Sequence, residues 1–277
     1  MSTGIGSATD SIRSHNLVSV LWARPIALLR MQGAIGVGIR HADWVPVLDA
    51  LRRKGRVKAV VIDVDSPGGG AAASDLIHEA VRRLAQVKPV VAFSGNICAS
   101  GGYLIAAAAT RFMVAPAAAI GSIGVISVRP LAYDLMARLG VAVEVTKSDE
   151  LKDMGAFWRP PTEKERQREQ ALVDEYYQMF MSRVEAGRKI APEQLRPLAT
   201  GEVFTGRRAV ESGLANEVGT FEEAVKLAAR LAGVRERTRW YGPRRPLRSR
   251  LLGPLGASVV DEVNERLLAL ALRQPRY

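Results

Sequence analysis

Four short segments hold residue types that can do chemistry. Asp65-Ser66-Pro67-Gly68-Gly69-Gly70 follows a β-branched run. Glycines there let main-chain N–H groups approach a ligand without side-chain obstruction, which suits an oxyanion or a phosphate. No Gly-Lys-Ser/Thr follows and no dinucleotide-binding glycine spacing is present, so nucleotide chemistry is not indicated. A strand-to-helix turn needing positive φ is the competing reading. Ala99-Ser100-Gly101-Gly102-Tyr103 puts a serine at the start of a helix, where the Gly101 N–H can hold an oxyanion formed at Ser100; a serine N-cap explains the same residues. Gly121-Ser122-Ile123-Gly124-Val125 reads either as a groove where an extended peptide adds to a sheet edge or as a turn. In Ser148-Asp149-Glu150-Leu151-Lys152-Asp153 the lysine stands among acids, and its local reading is a solvated loop residue. A serine nucleophile needs a base, however, and the three histidines (His15, His41, His78) all fall in the first 80 residues. A desolvated lysine amine accepts a proton, and Ser–Lys pairs are a known variant of triad chemistry. His78, on a helix face, leaves a Ser-His-Asp arrangement as the alternative.

The elements that must position these segments alternate along the chain. Pro25–Gln32 reads as a first strand and Ala42–Lys54 as a helix, with Trp44, Val45, Val47, Leu48 and Leu51 at helical spacing. Val57–Val64 is a nearly continuous β-branched run, as in a central parallel strand. Ser74–Ala85 follows as a helix, Pro89–Phe93 as a strand and Gly101–Thr110 as a small-residue helix. Phe112–Ala115, Ile123–Val128 and Val141–Thr146 read as strands, with Leu131–Leu139 as a helix. Thr162 caps a long helix ending near Gly187, whose apolar stripe is Leu172, Tyr176, Met179, Phe180 and Val184. Pro192–Ala199, Gly206–Ser212 and Phe221–Ala232 are shorter helices. Such alternation implies an α/β layer fold with right-handed crossovers.

With 277 residues, 48% of them hydrophobic and 24% charged, the chain has globular composition. A single cysteine, Cys98, excludes an internal disulfide framework and a multi-cysteine zinc site, and the histidines are too few for a His-based metal cluster. No cofactor or metal is expected. The formal charge of +11 is concentrated in residues 235–250, which hold seven arginines against one acid, Glu236. The apolar run Leu17–Ala23 is too short to span a bilayer, and the uncharged stretch Pro89–Thr110 is broken by Ser94-Gly95-Asn96. No transmembrane segment or signal peptide is expected, and the protein reads as cytoplasmic or peripherally membrane-associated.

Taken in order, these segments resemble the signal peptide peptidase A family of serine peptidases, related in fold to Clp protease and the crotonases. The resemblance runs from about Ile26 to Gly233 and adds Phe204-Thr205-Gly206-Arg207-Arg208-Ala209 and Gly213-Leu214 to the segments above. It implies a Clp protease/crotonase-like α/β fold of repeated β-β-α layers with a mainly parallel sheet. It also implies that Ser100 is the nucleophile, that Lys152 of Lys152-Asp153 is the base, and that Ser122 holds the lysine amine. Gly69 and Gly101 would supply oxyanion N–H groups, with Gly68, Gly121, Ile123 and Gly124 along the substrate groove. The choice of Lys152 over other lysines rests on the resemblance alone. Peptide substrates are implied, remnant signal peptides among them, as is a homo-oligomeric ring or dome with active sites near subunit interfaces.

Three organisational parts are expected: an extension over 1–24, the peptidase-like domain over 25–233, and a basic linker with an amphipathic helix (Ser258–Leu272) over 234–277. That last part is not a hallmark of the family; self-association, autoinhibition or peripheral contact with anionic lipid would each suit it. Two functions compete with peptide hydrolysis: a crotonase-like acyl-CoA enzyme, which needs a carboxylate in the pocket, and a catalytically idle oligomeric scaffold. A nucleic-acid partner is not expected.

Overall fold

The computed structural model describes residues 25–243. Six strands form one parallel sheet: β1 (Ile26–Gln32), β2 (Ala59–Asp65), β3 (Val90–Ser94), β5 (Arg111–Val114), β8 (Glu217–Val218) and β9 (Thr238–Trp240), in the order β8-β5-β3-β2-β1-β9. A smaller sheet has the order β4-β6-β7, with β4 (Ile97–Ala99) parallel to β6 (Ala119–Gly121) and β7 (Val203–Thr205) antiparallel to it.

Period-two alternation explains how the large sheet is covered on both sides. Along β2, Val60, Ile62 and Val64 face a core shared with α1 (His41–Arg53), α2 (Ala71–Ala85) and α3 (Gly101–Ala107). Ala59 and Val61 face the other way, under Ala224, Leu227 and Ala228 of α8 (Phe221–Ala232). Burying a leucine such as Leu227 is worth about 1.5–3 kcal/mol, so α8 is held by its apolar stripe. A capping box at Thr220 and Glu223 fixes its start. The long helix α5 (Glu163–Arg188) begins with a second capping box, Thr162 with Glu165.

Between β6 and α5 the structure departs from the sequence pattern. Ile123–Val128 is not a strand: β6 ends at Gly121, and Gly121 and Ser122 both take positive φ (109° and 49°), which turns the chain out of the sheet. Val141–Thr146 has the alternation of a strand, but no partner among the described residues offers it a ladder, and Val141, Val143 and Val145 are exposed. The helix expected over Leu131–Leu139 is the short α4 (Tyr133–Arg138), which buries no residue. Pro192–Ala199 divides into α6 (Pro192–Leu195) and a 3₁₀ turn, Arg196–Leu198, and α7 (Gly206–Glu211) follows β7. The segment after Gly233 returns to the sheet as β9, paired with β1. The extension 1–24 and the helix expected over Ser258–Leu272 lie outside the described residues.

Candidate active site

The first glycine-rich segment leaves the C-terminal end of β2. Its N–H groups divide by partner: Gly68 N–H donates to Ser66 Oγ at 3.2 Å and Gly70 N–H to the Ile35 carbonyl at 3.1 Å. Gly69 N–H, between them, has no acceptor among the described residues. Gly69 has φ 149°, and a Cβ there would lie 2.2 Å from the Ile35 oxygen. Only glycine fits that position.

Ser100 follows β4 and precedes α3. Its φ of 50° and ψ of −123° are strained for a residue with a side chain. Three hydrogen bonds fix the geometry: Ala99 N–H to Ser66 O (3.0 Å), Ser100 N–H to Gly121 O (2.7 Å) and Leu104 N–H to Ser100 O (2.9 Å). A Cβ on Gly68 would come within 2.7 Å of the Ser100 Cβ, so the glycine turn is packed directly on the serine. Gly101 N–H is at the first position of α3, has no partner within the helix, and finds no acceptor among the described residues. Ser122 is the counterpart of Ser100 on the neighbouring strand: Ala99 pairs with Gly121, which sets the two serines side by side. Ser122 N–H donates to Glu202 O at 2.7 Å.

These groups line one cavity of about 830 Å³, with Gly69, Ser100, Gly101, Ser122 and Gly124 on one side. Gly68 and Ile123 lie buried beneath that wall, and Gly121 closes β6. The opposite wall is α5, through Glu169, Leu172, Val173, Tyr176, Met179 and Phe180. Leu172 and Met179 are 44% and 41% exposed: the stripe read from sequence as packing faces largely into the cavity. Glu169 accepts from Ser127 Oγ at 2.6 Å and pairs with Arg129 at 2.9 Å, tying the 125–129 segment to α5. Sequence reasoning missed this clamp, whose partners stand some forty residues apart.

Lys152 is not among the residues lining that cavity. It sits in the 3₁₀ turn Glu150–Asp153, exposed; its N–H donates to Asp149 O at 3.2 Å, but its side-chain amine has no hydrogen bond or ion pair among the described residues, whereas Met154 and Gly155 just after it do reach the cavity. Its neighbour Asp153 is engaged: it pairs with Lys147 at 2.7 Å and Arg159 at 2.8 Å, and Arg159 continues to Glu165 at 2.5 Å. Hydrogen bonds from Arg159 and Lys147 hold the Asp153 carboxyl well below the usual range. Hydrogen bonding from Arg159 lowers Glu165 to about 2. The network anchors the turn to the start of α5 and leaves the Lys152 amine outside it. No lysine or histidine lines the cavity among the described residues. His78 is buried and shares a 2.7 Å hydrogen bond with the Leu104 carbonyl. Burial lowers its pKa, and it is not among the residues lining the cavity with Ser100, so it packs against α3 and does not stand as the base of a triad. Cys98 is buried, and desolvation raises its thiol pKa far above the ordinary value.

The profile of peptidase family S49 matches residues 82–235, more than half of the chain. The chain belongs to peptidase family S49. This is a family of serine peptidases with a Clp protease/crotonase-like fold, in keeping with the parallel sheet and the glycine-backed serine described above. A Synechocystis sp. protein named as a protease is 38% identical over 213 residues, which cover 76% of each chain. A Methanocaldococcus jannaschii protein also named as a protease is 35% identical over 191 residues, 69% of this chain and 61% of that one. The chloroplastic serine protease SPPA of Arabidopsis thaliana is 30% identical over 220 residues, 76% of this chain but 32% of its own length. This S49 chain therefore spans only part of the second and third of these relatives. No helix among the described residues is long and apolar enough to cross a membrane.

Proposed function

We propose that this S49 chain is an endopeptidase that cleaves extended peptides through an acyl-enzyme on Ser100, with Lys152 as general base. One observation carries the reading: the strained Ser100 stands in a cavity beside two N–H groups, Gly69 and Gly101, that have no acceptor among the described residues. In the reaction the neutral Lys152 amine takes the Ser100 hydroxyl proton as Oγ attacks the scissile carbonyl. The Gly69 and Gly101 N–H groups receive the oxyanion. Lys152 then gives the proton to the departing amine, and a water, deprotonated by the same lysine, hydrolyses the ester. Ser122, alongside Ser100, orients the amine. The substrate strand lies along Gly69, Ser122 and Gly124, over the buried Gly68, Gly121 and Ile123, with remnant signal peptides in the substrate class that the resemblance implies.

In this reading the base comes from a second copy of the chain. Three features support it: the Lys152 amine is exposed and has no partner among the described residues, the cavity has no lysine or histidine of its own among them, and residues 126–157 expose an apolar surface that a copy would cover. Ile126, Val128 and Leu139 are 85%, 82% and 69% exposed. The assembly is a homo-oligomer with each cavity completed at a subunit interface, and the basic tail is available for peripheral membrane contact. Acyl-CoA chemistry is disfavoured because the cavity carboxylates Asp75 and Glu169 are held in ion pairs with Arg183 and Arg129. The test mixes Ser100→Ala and Lys152→Ala chains during assembly. Each alone is inactive; co-assembly restores part of the peptidase activity and fluorophosphonate labelling of the remaining Ser100. Absence of recovery in mixed oligomers refutes the shared site, and full activity of Ser100→Ala alone refutes the mechanism.

A further inference from the structure

α3 follows Ser100 directly and carries the Gly101 N–H in its first turn, yet it is poorly made to hold its own position. It has seven residues, begins with Gly101 and Gly102, and has no side chain capping its start. Its place is therefore imposed by neighbours. Two of these are steric stops: a Cβ on Gly102 would lie 2.8 Å from Ser66 O, and one on Gly187 of α5 would collide with the Ala107 carbonyl. Stops of that kind limit approach but do not oppose rotation of the helix about its axis.

α2 supplies directed contacts. Ser74 and His78, four residues apart and so on one face, are 1% and 2% exposed and are the only buried polar residues of that helix. His78 Nδ1 lies 2.7 Å from Leu104 O, and since a carbonyl only accepts, Nδ1 carries the hydrogen. Among the described residues this is the one side-chain hydrogen bond to the α3 main chain. Leu104 O is near the helix end, and Ala108 N–H, its usual partner four residues on, turns instead to Ile105 O at 3.3 Å. Leu104 N–H in turn donates to Ser100 O at 2.9 Å. One turn earlier on α2, Ser74 Oγ donates to Gly70 O at 2.9 Å and occupies the space where a Cβ on Gly101 would stand. The same face of α2 thus meets the glycine turn beside Gly69 and the helix that begins at Gly101. Packing alone would be served by an apolar residue at 78, as Ile77, Val81 and Leu84 serve it elsewhere on α2. Burying an imidazole costs desolvation that its hydrogen bond must offset.

We infer that Ser74 and His78 are positioning residues, through which α2 holds the Gly69 and Gly101 N–H groups at the separation that one oxyanion requires. His78 acts through Leu104, and Ser74 through Gly70 and Gly101. The kinetic consequence rests on the acyl-enzyme reading above; the contact itself does not.

Three variants of the full chain test the pair: His78→Leu, which lacks the donor; His78→Asn, whose Nδ2–H stands where Nδ1–H stood; and Ser74→Ala. For each, kcat and KM on a soluble peptide are measured per fluorophosphonate-reactive Ser100, well below the thermal midpoint, together with hydrogen exchange of the α3 amides. His78→Leu and Ser74→Ala should each lower kcat about tenfold, with KM within about twofold of wild type. Combined, they should lower kcat about a hundredfold, as the loss of one oxyanion donor does. His78→Asn should recover most of kcat even where its smaller side chain leaves the midpoint low, a pattern that a packing role does not give. Exchange over Leu104–Ala107 should quicken in His78→Leu and return toward wild type in His78→Asn, with α8 unchanged. Wild-type kcat in His78→Leu and Ser74→Ala, a loss that His78→Asn does not recover, or unchanged α3 exchange each overturns the inference. If His78→Leu does not fold, Ser74→Ala decides alone, and wild-type kcat there overturns it. An inactive wild-type chain with unlabelled Ser100 refutes the acyl-enzyme reading instead, and the exchange measurement still decides the contact.

Discussion

At the scale of single residues, the site stores strain in the residue proposed to react. Ser100 is held with φ 50° by three main-chain hydrogen bonds, a conformation that costs about 1–3 kcal/mol for a residue with a side chain. Ser100→Ala keeps that cost, whereas Ser100→Gly relieves it. Neither variant should react with a fluorophosphonate probe, but Ser100→Gly should unfold at a higher temperature than Ser100→Ala. Equal midpoints in calorimetry would show that the strain is not released. Gly69 carries both an N–H and a steric constraint. Removing one oxyanion donor costs about a hundred- to a thousandfold in turnover. With a Cβ at 2.2 Å from the Ile35 oxygen, Gly69→Ala should lose turnover by at least that factor through displacement of the turn. Turnover near wild type would remove Gly69 from the site.

At the scale of elements, α5 is both a wall of the cavity and the anchor of the lysine turn. Leu172 is partly exposed toward the cavity, so Leu172→Ala should change stability by less than about 1 kcal/mol while raising KM for peptides with apolar side chains. A loss of stability without a change in KM would return Leu172 to the packing role its spacing suggested. The other end of α5 gives a pH prediction. Hydrogen bonding from Arg159 holds Glu165 at about 2, below its ordinary 4.5. A carboxyl depressed on folding stabilises the native state fully above its unfolded value, and this contribution is lost as pH falls from about 4.5 toward 2. Glu165→Gln removes the charge from the ion-pair network and should flatten that acid limb in denaturant titrations run at several pH values. The variant should also loosen the turn bearing Lys152, lowering kcat more than Ser100 labelling.

For the whole molecule, the exposed surface over residues 126–157 governs what one chain can do alone. Val143 and Val145 are already exposed, so Val143→Asp with Val145→Asp should leave the monomer folded. In the shared-site reading it should abolish assembly and turnover together, as followed by sedimentation and peptide hydrolysis. Full turnover from a demonstrated monomer would place the base within one chain.

The sequence by itself determined the parts that depend on local chemistry. Turn glycines, the β-branched run of β2, the helical spacing of α1 and α2, and the Thr162 cap all act over a few residues, and each stands where its pattern indicated. The order of the glycine and serine segments was likewise enough to identify the serine peptidase family. Tertiary structure alone decided what depends on partners distant in sequence. Val141–Thr146 has the alternation of a strand, but a strand is made by its ladder, and none is offered among the described residues. Thr238–Trp240 is too short and too basic to suggest a strand, yet the open edge of β1 makes it one. The Gly69 N–H, without an acceptor among the described residues, could be singled out only once Ser66 and Ile35 had engaged its neighbours. Nor did helical spacing separate core from cavity wall on α5, since both need an apolar face and differ only in what lies opposite.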